Sequence, residues 1–457
     1  LENVGKPFGF ATCGWVLGPP DDRALFDKVL PKSVSISCIN QQVGFNSVEP
    51  GFKDMTGRGK WAIPWMEDDP ALTIPQLWAG RMRRDAADAL AYGCTGLMGI
   101  HWRTKVLSPN ISALAKAAWD QSGWNPSPGK LSPQDKRDMP CADFYADWCR
   151  ANFGAAAAAE LAAMFTRLDG GSPPKVVEDK DRTTGLPRPA TWIDGPGGIE
   201  IKATPWEQEK ARYAFVEEMA ALRPSIKGAG NLERFDYWLN TFRYLRAVGR
   251  IGCMRGELDG LIARIDAEKD AADKKQLAEQ QALPLRLAMA RQWEEIITLQ
   301  LAVTDTPGEM GTIANLEQHA YRHGHLIDAH DGKLSALLGQ ALPAEATPTG
   351  RYLGQPRIIV PTTPSRLKTG EKLAVKVIVL DNEPPAAAAL HWRSMGKGEY
   401  REIGLTRVAR GVYTAELPPA QDEPIEYYIT ATTAKGKPLT WPAGAPRINQ
   451  TVVVMSE

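Results

Sequence analysis

The residues with the strongest chemical signal are three consecutive carboxylates, Glu67, Asp68 and Asp69. They directly follow residues 61–66, an apolar run that is typical of a buried strand. Adjacent carboxylates repel one another, which raises the pKa of at least one of them and suits general acid or base catalysis. Cleavage of a glycosidic bond requires two carboxyl groups, an acid and a base or nucleophile. The pattern therefore predicts catalytic roles for Glu67 and Asp68 and includes Asp69 in the candidate set.

Asp69 also has a purely structural interpretation. It precedes Pro70, and an aspartate followed by proline is typical of the N-cap and first position of a helix. Asp69 is therefore either a third carboxylate of the candidate catalytic set or a helix cap. Nothing structural in the sequence requires an acid at the two preceding positions.

The elements that must position these carboxylates alternate between strand and helix over residues 1–125. Strand patterns occur at residues 8–15, 34–39, 61–66 and 96–102, and helix patterns at residues 21–30, 75–92 and 111–119. Continuous apolar strands that alternate with helices favour a parallel sheet covered by helices. Four such units make half of a (β/α)₈, or TIM-type, barrel. We expect a second chain or a missing N-terminal segment to complete that barrel.

Barrels of this kind hold their reacting groups at the carboxyl ends of the strands. The predicted strand ends supply six candidate substrate-binding residues: Trp15, Asn40, Trp65, His101, Trp102 and Arg103. Tryptophan offers a flat apolar face for a sugar ring, and histidine hydrogen-bonds hydroxyl groups. Arg103 is able to pair with a carboxylate such as that of a uronic acid. The structural alternative for Trp102 and His101 is a core tryptophan beside a hydrogen-bonded histidine.

The rest of the chain changes character three times, which predicts a multidomain protein. Residues 126–205 form an irregular excursion rich in Pro and Gly, with a double proline at residues 173–174. Residues 206–345 have helical periodicity over long segments, which favours an all-α helical bundle. Residues 355–457 contain short strands separated by turn residues, typical of an all-β sandwich of the immunoglobulin or fibronectin type III kind.

The bulk composition argues against two classes of partner. The 457 residues contain 54 basic and 54 acidic side chains, so no net field attracts nucleic acid or an anionic membrane. No stretch approaches the roughly 20 apolar residues of a membrane span. Six cysteines in a chain of this length do not make a disulfide framework, and Cys13 and Cys38 are predicted to be small core residues.

Four histidines, His319, His323, His325 and His330, lie within twelve residues. The first two have the i, i+4 spacing of a helical metal site. No carboxylate in a zinc-peptidase pattern lies between them. The sequence therefore predicts no metal and no cofactor, and metal binding by these histidines remains the alternative.

Four segments of the first region are similar to a known group of enzymes. Residues 10–15, 26–31, 65–70 and 99–103 resemble the second half of the barrel in large bacterial glycoside hydrolases, related to α-glucuronidases and β-N-acetylhexosaminidases. The resemblance implies a secreted or periplasmic glycosidase that cleaves a polysaccharide or oligosaccharide, with the helical and β-sandwich regions as accessory domains. A non-catalytic carbohydrate-binding or scaffold protein is the alternative function.

Overall fold

The computed structural model describes residues 9–130, 138–170 and 185–456. The chain divides into two compact units, one of residues 1–151 and 158–198 and one of residues 152–157 and 199–457. It combines helices with several β-sheets, as expected for a multidomain chain. The double proline at residues 173–174 lies outside the described residues. In the described part of the chain, every helix is too short or too polar to cross a membrane.

The first unit is built on a parallel sheet whose strands lie in sequence order. These strands are β1 (Ile36–Ile39), β2 (Lys60–Ile63) and β3 (Gly96–Leu97). Isolated parallel bridges join Gly14 to Cys38 and Trp65 to Ile100. The pairing therefore continues past the regular strands, and residues 11–14 run beside β1 as a fourth parallel segment. This parallel pairing agrees with the strand–helix alternation of the sequence.

Helices lie between the strands of this sheet in the sequence and also follow its last strand. The elements are α1 (Leu25–Val29), α2 (Ala79–Ala91), α3 (Ser108–Trp119), α4 (Ala142–Phe153), α5 (Ala158–Leu168), β4 (Ala190–Thr191) and β5 (Gly198–Ile199). Almost every residue of α2 is buried. Arg83 and Arg84 of α2 are buried and pair with Asp143 and Asp88, each at 2.7 Å. Both sides of α2 are covered, because the sheet lies on one side and residues 138–170 on the other.

The two faces of the parallel sheet differ in how they are covered. Cys38 and Ala62 face a hydrophobic cluster that includes residues of α2. On the opposite face, Trp61 is 38% exposed and Met98 is 44% exposed. Cys13, which the sequence predicts to be a core residue, is exposed instead, because its segment forms the edge of the sheet. Ile39 and Ile63 lie on the same face as Trp61 and are buried, so this face is covered in part. Parallel sheets are usually buried on both faces.

The second unit begins with a series of helices. They are α6 (Trp206–Glu209), α7 (Phe215–Leu222), α8 (Ala229–Ala267), α9 (Ala271–Leu277), α10 (Leu283–Val303), α11 (Pro307–Gln318) and α12 (Asp331–Leu338). The 39-residue α8 packs along α10. Thr306 and Glu309 form a capping box that fixes the start of α11. Two π-helical turns, Ala278–Ala282 and His319–His323, interrupt the α-helical geometry.

The second unit ends in two mainly antiparallel sheets. Their strands are β6 (Arg357–Ile359), β7 (Arg366–Lys368), β8 (Ala374–Leu380), β9 (Ala387–Ser394), β10 (Arg401–Gly404), β11 (Thr406–Ala409), β12 (Val412–Glu416), β13 (Ile425–Thr432), β14 (Pro438–Trp441) and β15 (Gln450–Met455). One sheet has the order β10-β9-β13-β15-β7, with β14 also paired to β13, and the other has the order β11-β12-β8-β6. Both sheets contribute to one hydrophobic cluster, for example through Val377 and Tyr427.

Lys60 connects three separate pieces of the first unit. Its buried Nζ donates to the backbone oxygens of Phe52 at 2.9 Å, Met55 at 3.0 Å and Tyr92 at 2.6 Å. We expect Lys60→Met to lower the free energy of unfolding by about 2–4 kcal/mol, because three buried carbonyls lose their donor. Chemical denaturation measures this change, and the exposed Lys53→Met is the matched control, expected within about 0.5 kcal/mol of wild type. A Lys60→Met variant as stable as wild type would contradict this role.

Candidate functional site

Glu67 is a buried carboxylate that fastens two strand ends together. Its Oε2 accepts a hydrogen bond from Arg103 Nε at 2.7 Å, and its Oε1 accepts from the backbone N–H groups of Arg103 and Trp102. The Arg103 guanidinium also donates to the backbone oxygen of Ile74 at 2.8 Å. Both oxygens of Glu67 are therefore engaged, and the residue positions the segment after β3 against the end of β2.

Asp68 is also buried, and it pairs with an arginine that is remote in sequence. Its Oδ2 accepts from Arg188 Nε at 2.5 Å. Its Oδ1 is buried and has no hydrogen-bond partner among the described residues. A cavity of about 20 Å³ beside it, lined also by Trp78 and Arg188, has room for about one water molecule. Local patterns do not reveal Arg188 as a site residue, since 120 positions separate the two.

Asp69 is the most accessible of the three acids. Its Oδ1 accepts a hydrogen bond from the Trp102 indole Nε1 at 2.6 Å. Burial raises the pKa of Asp69, the indole hydrogen bond opposes that shift, and the charges of Glu67 and Asp68 add to it. The helix-cap interpretation of Asp69 is wrong. Asp68, not Asp69, occupies the N-cap of the short 3₁₀ turn Asp69–Ala71, and that turn has no side-chain cap hydrogen bond.

The predicted tryptophans divide into exposed and buried ones. Trp15 is 56% exposed and Trp102 is 57% exposed, so both present ring surface to solvent. Trp65 is fully buried, with its Nε1 donating to the backbone oxygen of Asn40 at 2.8 Å and its ring 5.6 Å from that of Trp15. The expected substrate contact by Trp65 is therefore wrong, because its ring is a core element that supports Trp15.

The remaining predicted contacts are mostly used within the protein. The side-chain nitrogen and oxygen of Asn40 are buried and lack a hydrogen-bond partner in the described part of the chain. His101 Nδ1 lies 2.7 Å from the backbone oxygen of Arg103, which fixes the ring locally. Arg103 is buried and paired with Glu67, so the expected pairing with a substrate carboxylate is wrong. The side chain of Asn40 therefore keeps unused hydrogen-bonding capacity within the described residues, but it is as buried as Trp65.

Asp169, which sequence patterns do not single out, holds the start of α2. Its carboxylate accepts from the backbone N–H groups of Ala79 at 2.8 Å and Gly80 at 3.0 Å, and from the Tyr145 hydroxyl at 2.6 Å. Burial of the carboxylate and the charge of Asp138 raise the pKa of Asp169 to about 6. The contact therefore holds the first turn of α2 in place.

The four histidines do not assemble into a metal site. His330 Nε2 lies 2.6 Å from Asp259 Oδ1, and His325 Nδ1 lies 3.0 Å from Asp328 Oδ1. The rings of His319 and His323 have centroids 5.8 Å apart, within the second π-helical turn. Across residues 9–130, 138–170 and 185–456, no group of three or more His, Cys, Asp or Glu residues has the arrangement of a metal site.

The Glu67–Arg103 pair gives a prediction about stability. We expect Glu67→Leu to lower the free energy of unfolding by about 3–5 kcal/mol, because it leaves a buried guanidinium without its counter-charge. The double variant Glu67→Leu/Arg103→Met is expected to be more stable than Glu67→Leu alone, since no uncompensated charge remains. Chemical denaturation of the single and double variants measures the coupling. Equal stabilities of the double variant and Glu67→Leu would rule out the ion pair as the dominant contribution.

Asp169 gives a prediction about pH. Its folded pKa of about 6 exceeds the ordinary value of 3.8, so folding favours the protonated carboxyl. The stability that this proton contributes is present below about pH 4 and is lost as the pH rises through about 6, by up to about 3 kcal/mol. We therefore expect the stability of wild type relative to Asp169→Asn to fall between these pH values. Denaturation at a series of pH values tests this, and a constant difference would refute it.

Comparisons with known proteins give no assignment for this chain. No known protein family and no curated protein matches it. Among solved structures, it is similar to the fibronectin(III)-like modules of Clostridium thermocellum CbhA at 14% identity, over 22% of this chain and 94% of that chain, with a TM-score of 0.16. It is also similar to an engineered protein at 11% identity, over 98% of this chain and 93% of that chain, with a TM-score of 0.19. Scores this low carry no argument about fold or function.

Proposed function

We propose that this chain contributes the catalytic face of a glycoside hydrolase, with Asp69 as its general acid. The observation that carries the proposal is the contact between Asp69 and Trp102, a partly exposed carboxyl of raised pKa bound to an exposed indole. A raised pKa keeps a carboxyl protonated until it transfers its proton. The indole offers a flat apolar surface on which a sugar ring stacks. Both groups lie at the carboxyl-end edge of a parallel sheet, where such folds hold their reacting groups.

In this proposal, Glu67 and Asp68 act on Asp69 rather than on the substrate. Both are buried, and each is paired with an arginine, Arg103 or Arg188. Their negative charges disfavour ionisation of Asp69, which keeps it protonated at a higher pH. Glycosidic cleavage needs a second reacting carboxyl, which we place on the strands that complete the barrel.

The finer fold that goes with this function is half of a (β/α)₈ barrel. Its support is the sequential parallel order of β1, β2 and β3, together with the exposure of Trp61 and Met98 on one face. Four further strand–helix units, from a second chain or from an N-terminal segment, would cover that face.

The second unit would then supply the accessory domains of the enzyme. The long helices between residues 206 and 345 would form a helical bundle, and the two sheets over residues 355–457 a β-sandwich of the immunoglobulin or fibronectin type III kind. The shared hydrophobic cluster of the two sheets supports the second assignment. A secreted or periplasmic polysaccharide-degrading enzyme fits this arrangement of domains.

A non-catalytic carbohydrate-binding protein is the second candidate function. The observation that favours it is that two of the three acids, Glu67 and Asp68, are buried and each is held in an ion pair with an arginine. The exposed rings of Trp15 and Trp102 would then serve as stacking surfaces without any reaction. This candidate predicts that the protein binds oligosaccharides and does not hydrolyse them.

The Asp69 assignment is tested by hydrolysis of a panel of oligosaccharides by the complete native protein, because their sugar leaving groups need a proton from a general acid. We expect Asp69→Asn to lower kcat by about 10²–10⁴-fold with little change in KM, because the general acid is lost. The exposed Asp21→Asn is the matched control and is expected to behave as wild type. An unchanged kcat in Asp69→Asn would contradict the role of Asp69 as general acid. Oligosaccharide binding by a wild type that hydrolyses none of the glycosides would favour the second candidate.

Trp102→Phe separates a catalytic from a structural role of the indole contact. The phenyl ring keeps a surface for stacking but removes the N–H that holds the pKa of Asp69 down. The pKa of Asp69 should then rise, so the basic limb of the kcat/KM profile should move to higher pH. A profile that keeps its position would show that the indole hydrogen bond does not tune the reacting group.

A further inference from the structure

The second unit contains a cavity of about 530 Å³, lined by residues between Trp293 and Leu380. It lies between α10, α11 and the segment of residues 348–353 that leads into β6. Small-molecule sites in proteins span roughly 300–1,000 Å³, so the cavity is large enough for an organic ligand. Its wall mixes aromatic rings, carboxylates and hydroxyls, whereas gaps left by imperfect core packing are apolar.

The wall of the cavity is held in place from both sides. Glu294 Oε1 of α10 accepts from the backbone N–H of Thr349 at 2.7 Å. On the other side, the backbone N–H of Tyr352 donates to Asn382 Oδ1 at 3.0 Å, and Asn382 Nδ2 donates to the backbone oxygen of Tyr352 at 2.6 Å. The segment over the cavity is therefore anchored to a helix and to a strand connection. An anchored wall lowers the entropy lost when a ligand binds.

Three aromatic side chains line this cavity, and one of them lies in a π-helical turn. Tyr321 lies in the π-helical turn His319–His323 and meets the buried Trp293 edge to face, with ring centroids 6.4 Å apart. A π-turn inserts an extra residue into a helix and is frequent at functional sites. Tyr321 is partly exposed, and Tyr352 contributes a third ring from the anchored segment.

The charged groups of the wall select the class of ligand. Glu294 and Glu317 contribute carboxylates, and Arg351 contributes a guanidinium. Opposite charges in one small space disfavour a strongly charged ligand, while both kinds of group form strong hydrogen bonds with hydroxyls. Aromatic faces suit the apolar C–H surface of a sugar ring. We propose that this cavity is a binding site for a neutral sugar, one or two residues of an oligosaccharide, independent of the site at Asp69.

The test is isothermal titration of the full chain with four neutral trisaccharides: cellotriose, maltotriose, xylotriose and tri-N-acetylchitotriose. We expect one of them to bind, and Tyr321→Ala to weaken that binding by about tenfold or more. Leu353→Trp, at an exposed position of the wall, should obstruct part of the cavity and remove binding without a change in the buried core. Trp102→Ala is the matched control, because it removes an exposed aromatic ring from the other candidate site.

The outcomes separate this site from the proposed catalytic site. Binding that is lost in Tyr321→Ala and Leu353→Trp but kept in Trp102→Ala and Asp69→Asn supports the proposal, whether or not the protein hydrolyses glycosides. Binding that is lost in Trp102→Ala and kept in both cavity variants overturns it. The absence of binding to all four trisaccharides also overturns it, as does binding of tetramethylammonium in their place. Thermal unfolding of each variant shows whether a loss of binding reflects a loss of the fold.

Discussion

The candidate site depends on the buried ion pair between Glu67 and Arg103. Removing two charges from water is costly, and an ion pair alone seldom offsets that cost. Here the carboxylate also accepts from two backbone N–H groups, and the guanidinium also donates to a backbone carbonyl. These contacts tie together the end of β2, the segment after β3 and the segment before α2. The indole of Trp102 reaches Asp69 because its backbone is held by the same carboxylate.

This constraint divides three adjacent acids into different electrostatic classes. Glu67 and Asp68 each have an arginine as counter-charge. Within the described residues, the side chain of Asp69 accepts from the neutral indole N–H of Trp102 and has no arginine partner. Burial and the two neighbouring charges therefore raise its pKa. A general acid requires a carboxyl that stays protonated near the working pH, and this environment favours that state. The two arginines thus stabilise Glu67 and Asp68 as carboxylates, and the negative charges of these carboxylates disfavour ionisation of Asp69.

The sequence predicts the local features of the site better than the long-range ones. Alternation of strand and helix predicts the parallel pairing, because that alternation follows from short-range periodicity. The regular strands β2 and β3 end at Ile63 and Leu97, before the predicted ends at residues 66 and 102. The arginine partner of Asp68 lies 120 residues away, and the carboxylate that holds α2 is also distant, so no local pattern reveals them. The sequence around Trp65 does not distinguish a buried ring from one on the surface. Its burial becomes evident only in the tertiary structure. The pairing of Arg103 is hidden in the same way.

One face of the parallel sheet leaves two large apolar side chains in contact with solvent. Strands buried on both faces are the rule for parallel sheets, and an exposed Trp61 and Met98 leave apolar area in water at roughly 25 cal/mol per Å². Any polypeptide that covers these two side chains gains that free energy. Burial of Trp61 and Met98 is therefore the gain that the proposed barrel would draw from its four further strand–helix units.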